Sequence, residues 1–270
     1  MRYKNLFSLE GQVALVTGAA GILGRHFSRA LAANGATVIV ADQNPDVKSL
    51  SDELGEEFKV ASSSLCFDLT SPVAVKEAVR EVVGRHGRVD ILHNNAASKS
   101  SNLSSFFEST ENYSLETWRE VMAVNLDGMF LMAQAIGPMM VSQGGGSIIQ
   151  TSSIYGILGP DQRIYDGSFY LGQEINTPAV YSASKAGVVG LTKYLASLWG
   201  HKNVRVNTLI PGGVFSGQND TFVKKYSNRV PLRRMANPEE MVGPLIFLAS
   251  PASSYITGQT IIVDGGLSAW

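Results

Sequence analysis

The chain has 270 residues, a formal net charge of −1 and one cysteine. That length suits one large α/β unit able to bury about three quarters of its unfolded surface without a disulfide or metal staple. A composition of 44% hydrophobic and 17% charged residues excludes global disorder, and the near-neutral balance gives no footprint for nucleic acid or an anionic membrane. In chain order, β-rich runs fall at 13–17, 37–41, 60–67 (the weakest), 89–93, 147–151, 204–210 and 260–263. Most are near-continuously apolar, as strands buried on both faces should be. Helix-length amphipathic stretches lie between them at 22–34, 71–85, 115–141, 179–199 and 238–249. Ser71-Pro72 and Asn237-Pro238 are start signals, an N-cap followed by proline at the first helical position. This alternation predicts a doubly wound parallel sheet of about seven strands with helices on both faces, folded as a single domain over 1–270.

Two segments break the rhythm. Residues 98–112 are serine-rich, and residues 157–178 mix aromatics, charges and glycines. Both exceed the usual ~2–6 residues of a βα connection. Both follow the carboxyl end of an expected strand, where open α/β sheets bind ligands. Residues 98–112 read equally well as a surface insertion or a substrate segment.

At the first strand's end, Gly18, Gly21, Ile22, Leu23 and Gly24 form a glycine-rich turn into a helix. Gly18 suits the tight turn, Gly21 an approach to pyrophosphate, and Gly24 close helix–strand packing. The helix N-terminus favours phosphate charge. Asp42 ends the second strand about 20 residues on, where an acid accepts hydrogen bonds from a ribose 2′-OH. It reads otherwise as a solvated strand end. Gln43-Asn44-Pro45 offers no arginine for a 2′-phosphate, and Arg25 is expected to point away along the helix, so NAD is preferred over NADP.

Of nine tyrosines, only Tyr181 has a lysine four residues on, Lys185. One helical turn apart, they share a face, and a nearby ammonium brings a phenol of pKa near 10 toward the working range. An exposed i,i+4 pair on an amphipathic helix is the plain alternative. None of His26, His86, His93 and His201 sits at metal-ligand spacing, so no catalytic metal is expected. A lone cysteine, Cys66, fits a reducing compartment. The opening Met1-Arg2-Tyr3-Lys4-Asn5-Leu6 lacks a signal-like apolar run, and the short apolar runs fall below the ~20 residues of a bilayer span, so a cytoplasmic protein is expected.

Together these pieces resemble the short-chain dehydrogenase/reductases over essentially the whole chain. Thr17-Gly18…Gly21…Gly24 is similar to the cofactor loop, and Cys66-Phe67-Asp68-Leu69 to the segment whose acid, here Asp68, contacts adenine, with Leu69 beside it. Asn94-Asn95-Ala96-Ala97 resembles the family's Asn-Asn-Ala-Gly signature, placing Asn95 and Ala96 at the cofactor. Asn125 matches the asparagine of the proton relay, Ser153 the catalytic serine, and Tyr181 and Lys185 the catalytic pair. The turn Pro211-Gly212-Gly213-Val214-Phe215-Ser216 resembles the nicotinamide-side loop, with Pro211, Gly212, Val214 and Ser216 as cofactor contacts. The resemblance implies a Rossmann fold, NAD, and interconversion of a secondary alcohol and a ketone. Tyr181 would act as general acid/base, Ser153 would position the substrate oxygen, Lys185 would hold the nicotinamide ribose, and Asn125 would anchor a relay water. It also implies a dimer contact through the helices at 115–141 and 179–199, each apolar on more than one face, with dimers pairing into a homotetramer.

Three departures bear on the reading. The glycine spacing Thr-Gly-x-x-Gly-x-x-Gly is similar to the extended branch acting on nucleotide sugars, yet the extra C-terminal domain of that branch is lacking, which favours the short branch. Ala97 replaces a glycine and Ser216 a threonine. Residues 157–178 lengthen the stretch between Ser153 and Tyr181. Tyr165, Phe169 and Tyr170 there offer aromatic faces, while Asp161, Arg163, Asp166 and Glu174 offer charge and hydrogen bonds. That mixture suits a sugar or polyol as the small-molecule substrate; an oligomer-contact loop is the competing reading. An NADP-dependent carbonyl or 3-oxoacyl reductase, a nucleotide-sugar epimerase or dehydratase, and a cofactor-sensing scaffold are the alternatives.

Overall fold

The computed structural model describes residues 5–170 and 172–270. The strands are β1 (Val13–Thr17), β2 (Thr37–Asp42), β3 (Ser62–Cys66), β4 (Ile91–Asn94), β5 (Gly146–Thr151), a hairpin of β6 (Phe169–Tyr170) and β7 (Gln173–Glu174), then β8 (Val204–Pro211) and β9 (Thr260–Val263). Seven of them form one sheet in the order β3-β2-β1-β4-β5-β8-β9, every pair parallel. The order reverses between β1 and β4, which opens a crevice at the carboxyl ends of those strands.

Alternate residues of each strand feed two cores. Ala14 and Val16 of β1 join the layer of α1 (Ile22–Ala33), α2 (Val47–Phe58) and, after the helices of the other face, α9 (Val242–Ala249). Val13 and Leu15 face the opposite layer, built on α3 (Pro72–His86), α6 (Gly128–Ser142) and α7 (Ala179–Trp199), with α5 (Leu115–Met122) lying against α7. Short α4 (Leu103–Phe106) interrupts the serine-rich segment, and α8 (Asp220–Ser227) follows β8. Helix α2 escapes the sequence reading because its seat is narrow. Only Val47, Leu50, Ser51 and Leu54 are buried, and the remaining face is charged. Helix α8 is likewise unforeseen, although Asn219 caps it through Phe222 N–H.

The stretch 115–141, expected as one helix, is α5 and α6 joined by a π-helical turn at Ala123–Asp127. As one run, Leu115–Ser142 is long and apolar enough by composition to cross a bilayer, contrary to the expectation of short apolar runs alone. Here it packs beside α3 and α7 and buries Met129, Met132, Ile136 and Met140. The apolar excess read from sequence is therefore mostly core: Met129, Met132, Val188 and Leu195 are buried, and Phe130 is exposed. Residues 238–249 also divide, into a 3-10 turn at Pro238–Met241 with an Asn237–Glu240 capping box, and α9.

Candidate active site

The turn after β1 is shaped by what its glycines exclude. Gly18 has φ +66°, and a Cβ there would lie 2.6 Å from Ala96 Cα; at Gly24 a Cβ would lie 2.1 Å from Gly18 O. Any side chain at either position would push β1, β4 and α1 apart. Gly21 stands at the N-cap of α1, and no side chain caps that helix. Its first N–H groups remain available to an anion, with the helix dipole behind them. Thr17 ties the turn to β4 by accepting the N–H groups of Asn95 (3.1 Å) and Ala96 (3.3 Å). Asn95 Nδ2 donates back to Thr17 O and Gly18 O, so its amide braces the turn. Asp42 accepts Ala20 N–H and Asn44 N–H, one on each carboxylate oxygen at 3.0 Å, which holds the acid at the mouth of the crevice.

These elements enclose a cleft of about 570 Å³. Gly18, Gly21, Ile22, Leu23, Gly24, Asp42, Asn95, Tyr181, Lys185, Pro211, Gly212 and Val214 all line it. Asp68, Leu69 and Ala96 line a smaller recess that shares Gly18 and Asp42 with it. A dinucleotide fits this outline: a glycine-rich turn at a helix N-terminus without a side-chain cap, an acid placed for a ribose, and a side recess for the base. Two details differ from expectation. Arg25 does not point away; its guanidinium curls back to donate to Ala20 O at 3.2 Å. Ser216 lies on the neighbouring cavity and not on the cleft, held there by hydrogen bonds with Gln218.

The candidate reacting groups meet where β5 ends against α7. Lys185 is buried, its Nζ donates to Thr151 O at 3.1 Å, and desolvation pushes its pKa down to about 8. Ser152 Oγ donates to Lys185 O, locking the strand end onto the helix. Ser153 is buried beside it, with Oγ accepting Tyr155 N–H. Burial raises the pKa of the Tyr181 phenol, and its hydrogen bond with Ser153 works the other way. The nearby Tyr165 phenol adds to the rise, and the lowering by Lys185 expected from sequence is not among the causes. Asn125 is fully buried in the π-helical turn; its Oδ1 accepts Ser98 N–H (2.8 Å) and its Nδ2 donates to Ser184 Oγ (3.3 Å). Its amide braces the segment after β4 against α7. A π-helical turn at such a place is a frequent mark of function.

Beyond Tyr181 lies a cavity of about 260 Å³, roofed by the two insertions. Tyr165 Oη and Thr177 Oγ1 are 2.5 Å apart, and Tyr165 Oη donates to Tyr155 Oη at 3.4 Å. Asn176 Nδ2 donates to Phe107 O, joining one insertion to the other. Phe106, Phe107, Ile154, Ile175 and Met235 supply apolar wall. The four charged residues expected here are turned elsewhere. Asp161 pairs with Arg163 and Arg229, Lys225 of α8 donates to the carbonyls of Arg163 and Asp166, and Asp166 and Glu174 line an outer groove. Phe169 is exposed and Tyr170 forms the rim. Tyr155, Asn176 and Thr177 carry no sequence signal, because only the folded lid brings them to Tyr181.

Comparison with known proteins agrees with this geometry. A family model described as "Enoyl-(Acyl carrier protein) reductase" matches residues 18–268. A 3-oxoacyl-[acyl-carrier-protein] reductase of Thermotoga maritima is 37% identical, covering 96% of this chain and 98% of its own. A D-threitol dehydrogenase of Mycolicibacterium smegmatis is 35% identical, covering 96% and 94%. A solved structure described as a putative NAD(P) dependent gluconate 5-dehydrogenase from Beutenbergia cavernae, with bound NADP, superposes with a TM-score of 0.86 at 35% identity, covering 98% and 100%.

Proposed function

The chain belongs to the short-chain dehydrogenase/reductase family, and from that premise we propose that it is an NAD-preferring dehydrogenase of a sugar or polyol. It is an oxidoreductase acting on CH–OH groups with a nicotinamide cofactor. A nicotinamide held by the cleft residues would supply or accept the hydride. The protein's own part begins with Ser153, whose hydroxyl orients the substrate oxygen and stabilises developing charge on it. Tyr181 Oη takes the alcohol proton on oxidation or returns it on reduction. Lys185, fixed by Thr151 O, lines the same cleft as Tyr181, where it would hold the nicotinamide ribose.

The observation that carries the reading is that Ser153 and Tyr181 line both the cleft and the roofed cavity, with Lys185 on the cleft side. Asp42 supports NAD, since a 2′-phosphate beside that carboxylate would meet like charge. The hydroxyls of Tyr155, Tyr165 and Thr177 support a polyhydroxylated substrate, as do the threitol and gluconate relatives. A second reading, reduction of a 3-oxoacyl thioester, draws on the apolar part of the cavity wall and the Thermotoga relative. Exposed Leu115, Phe130, Tyr194 and Leu198 on α5, α6 and α7 support a homotetramer assembled through those helices. The exposed free thiol of Cys66 supports a reducing, cytoplasmic setting. The test is absorbance at the reduced-nicotinamide band with NAD or NADP against alditols, sugars, simple alcohols and a 3-oxoacyl thioester. Turnover confined to the thioester overturns the sugar reading, and a higher kcat/KM with NADP overturns the cofactor preference. A monomeric mass by light scattering at micromolar concentration overturns the tetramer.

A further inference from the structure

The roofed cavity holds one formally charged side chain among its described lining residues, and it is a cation, Lys99. The same lysine also borders the cofactor cleft, so it stands over the seam where the reaction takes place. Its neighbours are anchored on both sides. Ser98 N–H is held by Asn125, while Glu120 accepts Ser100 Oγ (2.9 Å) and Ser101 N–H (2.7 Å). Ser100 adopts φ +71°, a left-handed conformation that a serine takes only when its surroundings impose it. Glu120 is thereby engaged with serines. Lys99 enters no ion pair among the described residues. Its Nζ lies 4.6 Å from the centroid of the Tyr170 ring on the opposite insertion.

An ammonium bordering a cavity whose described lining has hydroxyls and no carboxylate is a poor match for a neutral polyol, which needs no charge to be held. It matches an anion. We propose that Lys99 binds a carboxylate of the substrate, so that the enzyme acts on polyhydroxylated acids in preference to neutral alditols. This rests on the sugar or polyol reading above and selects within it. The acid end sits under the Lys99–Tyr170 rim, and the carbinol carbon lies between Ser153 and Tyr181. Hydroxyls between them meet Tyr155, Tyr165 and Thr177.

The experiment pairs C4–C6 aldonates with their own alditols, D-gluconate against D-glucitol among them, on wild type, Lys99→Met and Lys99→Arg. Each pair is read twice, as kcat/KM and as Kd by calorimetry on the protein with NADH. Wild type is expected to favour the acid of a pair. Lys99→Met should lower the acid-to-alditol ratio at least ~10-fold, through KM and Kd, and Lys99→Arg should restore most of it. Wild-type preference for the alditols, or a ratio that Lys99→Met leaves unmoved, overturns the carboxylate assignment while the polyol reading stands. A weaker Kd for NADH in Lys99→Met with an unmoved ratio assigns the lysine to the cofactor instead. Neither binding nor turnover of any polyhydroxylated compound, with thioester turnover intact, removes both readings together.

Discussion

The cofactor cleft and the roofed cavity share Tyr181 and lie side by side, yet they are made by different means. The cleft is a backbone object: glycines leave room, Thr17 and Asn95 staple two strand ends, and the helix start presents bare N–H groups. Its parts come from short sequence windows, each adjacent to a strand it extends. The cavity is a side-chain object assembled from 98–112, 157–178 and α8, joined by Asn176 to Phe107 O and by Lys225 to the carbonyls of Arg163 and Asp166. A site of the first kind tolerates change anywhere except at its few close approaches. A site of the second kind depends on side chains of separate insertions meeting one another, as Asn176 meets Phe107 O and Lys225 the carbonyls of Arg163 and Asp166.

The largest expected break follows from removing the lid. Replacing residues 160–176 by a Gly-Ser bridge should abolish polyol turnover while NAD still binds by fluorescence titration, since none of that segment's described residues lines the cleft. If the shortened enzyme keeps its activity but falls into smaller species, the segment belongs to an interface. Tyr181→Phe acts at the shared seam. It should lower kcat by at least ~10²-fold, the scale of general acid–base catalysis, with NAD affinity within a few-fold. Near-wild-type turnover would remove the assigned chemistry. Gly18→Ala attacks the cleft alone, because its methyl meets Ala96 Cα. NAD affinity should fall at least ~10-fold and Tm should drop, the usual result of overpacking worth about 1–3 kcal/mol. Unchanged affinity would mean that the turn has slack the geometry denies. Asp42→Ala should bring the NAD-to-NADP ratio of kcat/KM down by about tenfold while polyol KM holds, an effect confined to the ribose end.

The smallest effect is a pH dependence of stability. Lys185 has a folded pKa near 8, below its unfolded value of about 10.4, so the unfolded chain binds more protons between those limits. This group therefore adds stability as pH rises from about 8 toward 10. Thermal melts of wild type without cofactor, compared with Lys185→Met, should show wild type gaining across that window. A parallel pH course would place the lysine in contact with water.

The sequence carries the sheet and the cleft well because their signals are local. Apolar strand runs, a glycine turn and Asp42 are each confined to a few residues, and Tyr181 and Lys185 are a turn apart on one helix. It loses α2, whose buried stripe is three apolar residues and a serine on an otherwise charged helix. It also misassigns the charged residues of the insertion. Asp161 and Arg163 satisfy one another two positions apart, while Lys225 arrives from α8 and Arg229 from the turn just after it, some 60 to 70 residues on. Composition shows that charge is present in 157–178, and only the fold decides whom it faces. Ser216 is a milder case, a motif position that a neighbouring Gln218 draws toward the cavity.

The π-helical turn at Ala123–Asp127 has a bearing on how this chain tolerates length changes. Such a turn holds one residue more than an α-helical turn, so α6 is out of phase with α5 by about 100° of rotation. That offset lets Asn125 face Ser98 and Ser184 while Gly128 packs against Leu69 of the recess. Excising a single residue from the turn would leave a continuous, well-formed helix whose two halves could no longer both face their partners. The molecule thus stores a frame offset inside a helix, and an alignment gap placed there would conceal a change in the catalytic seam.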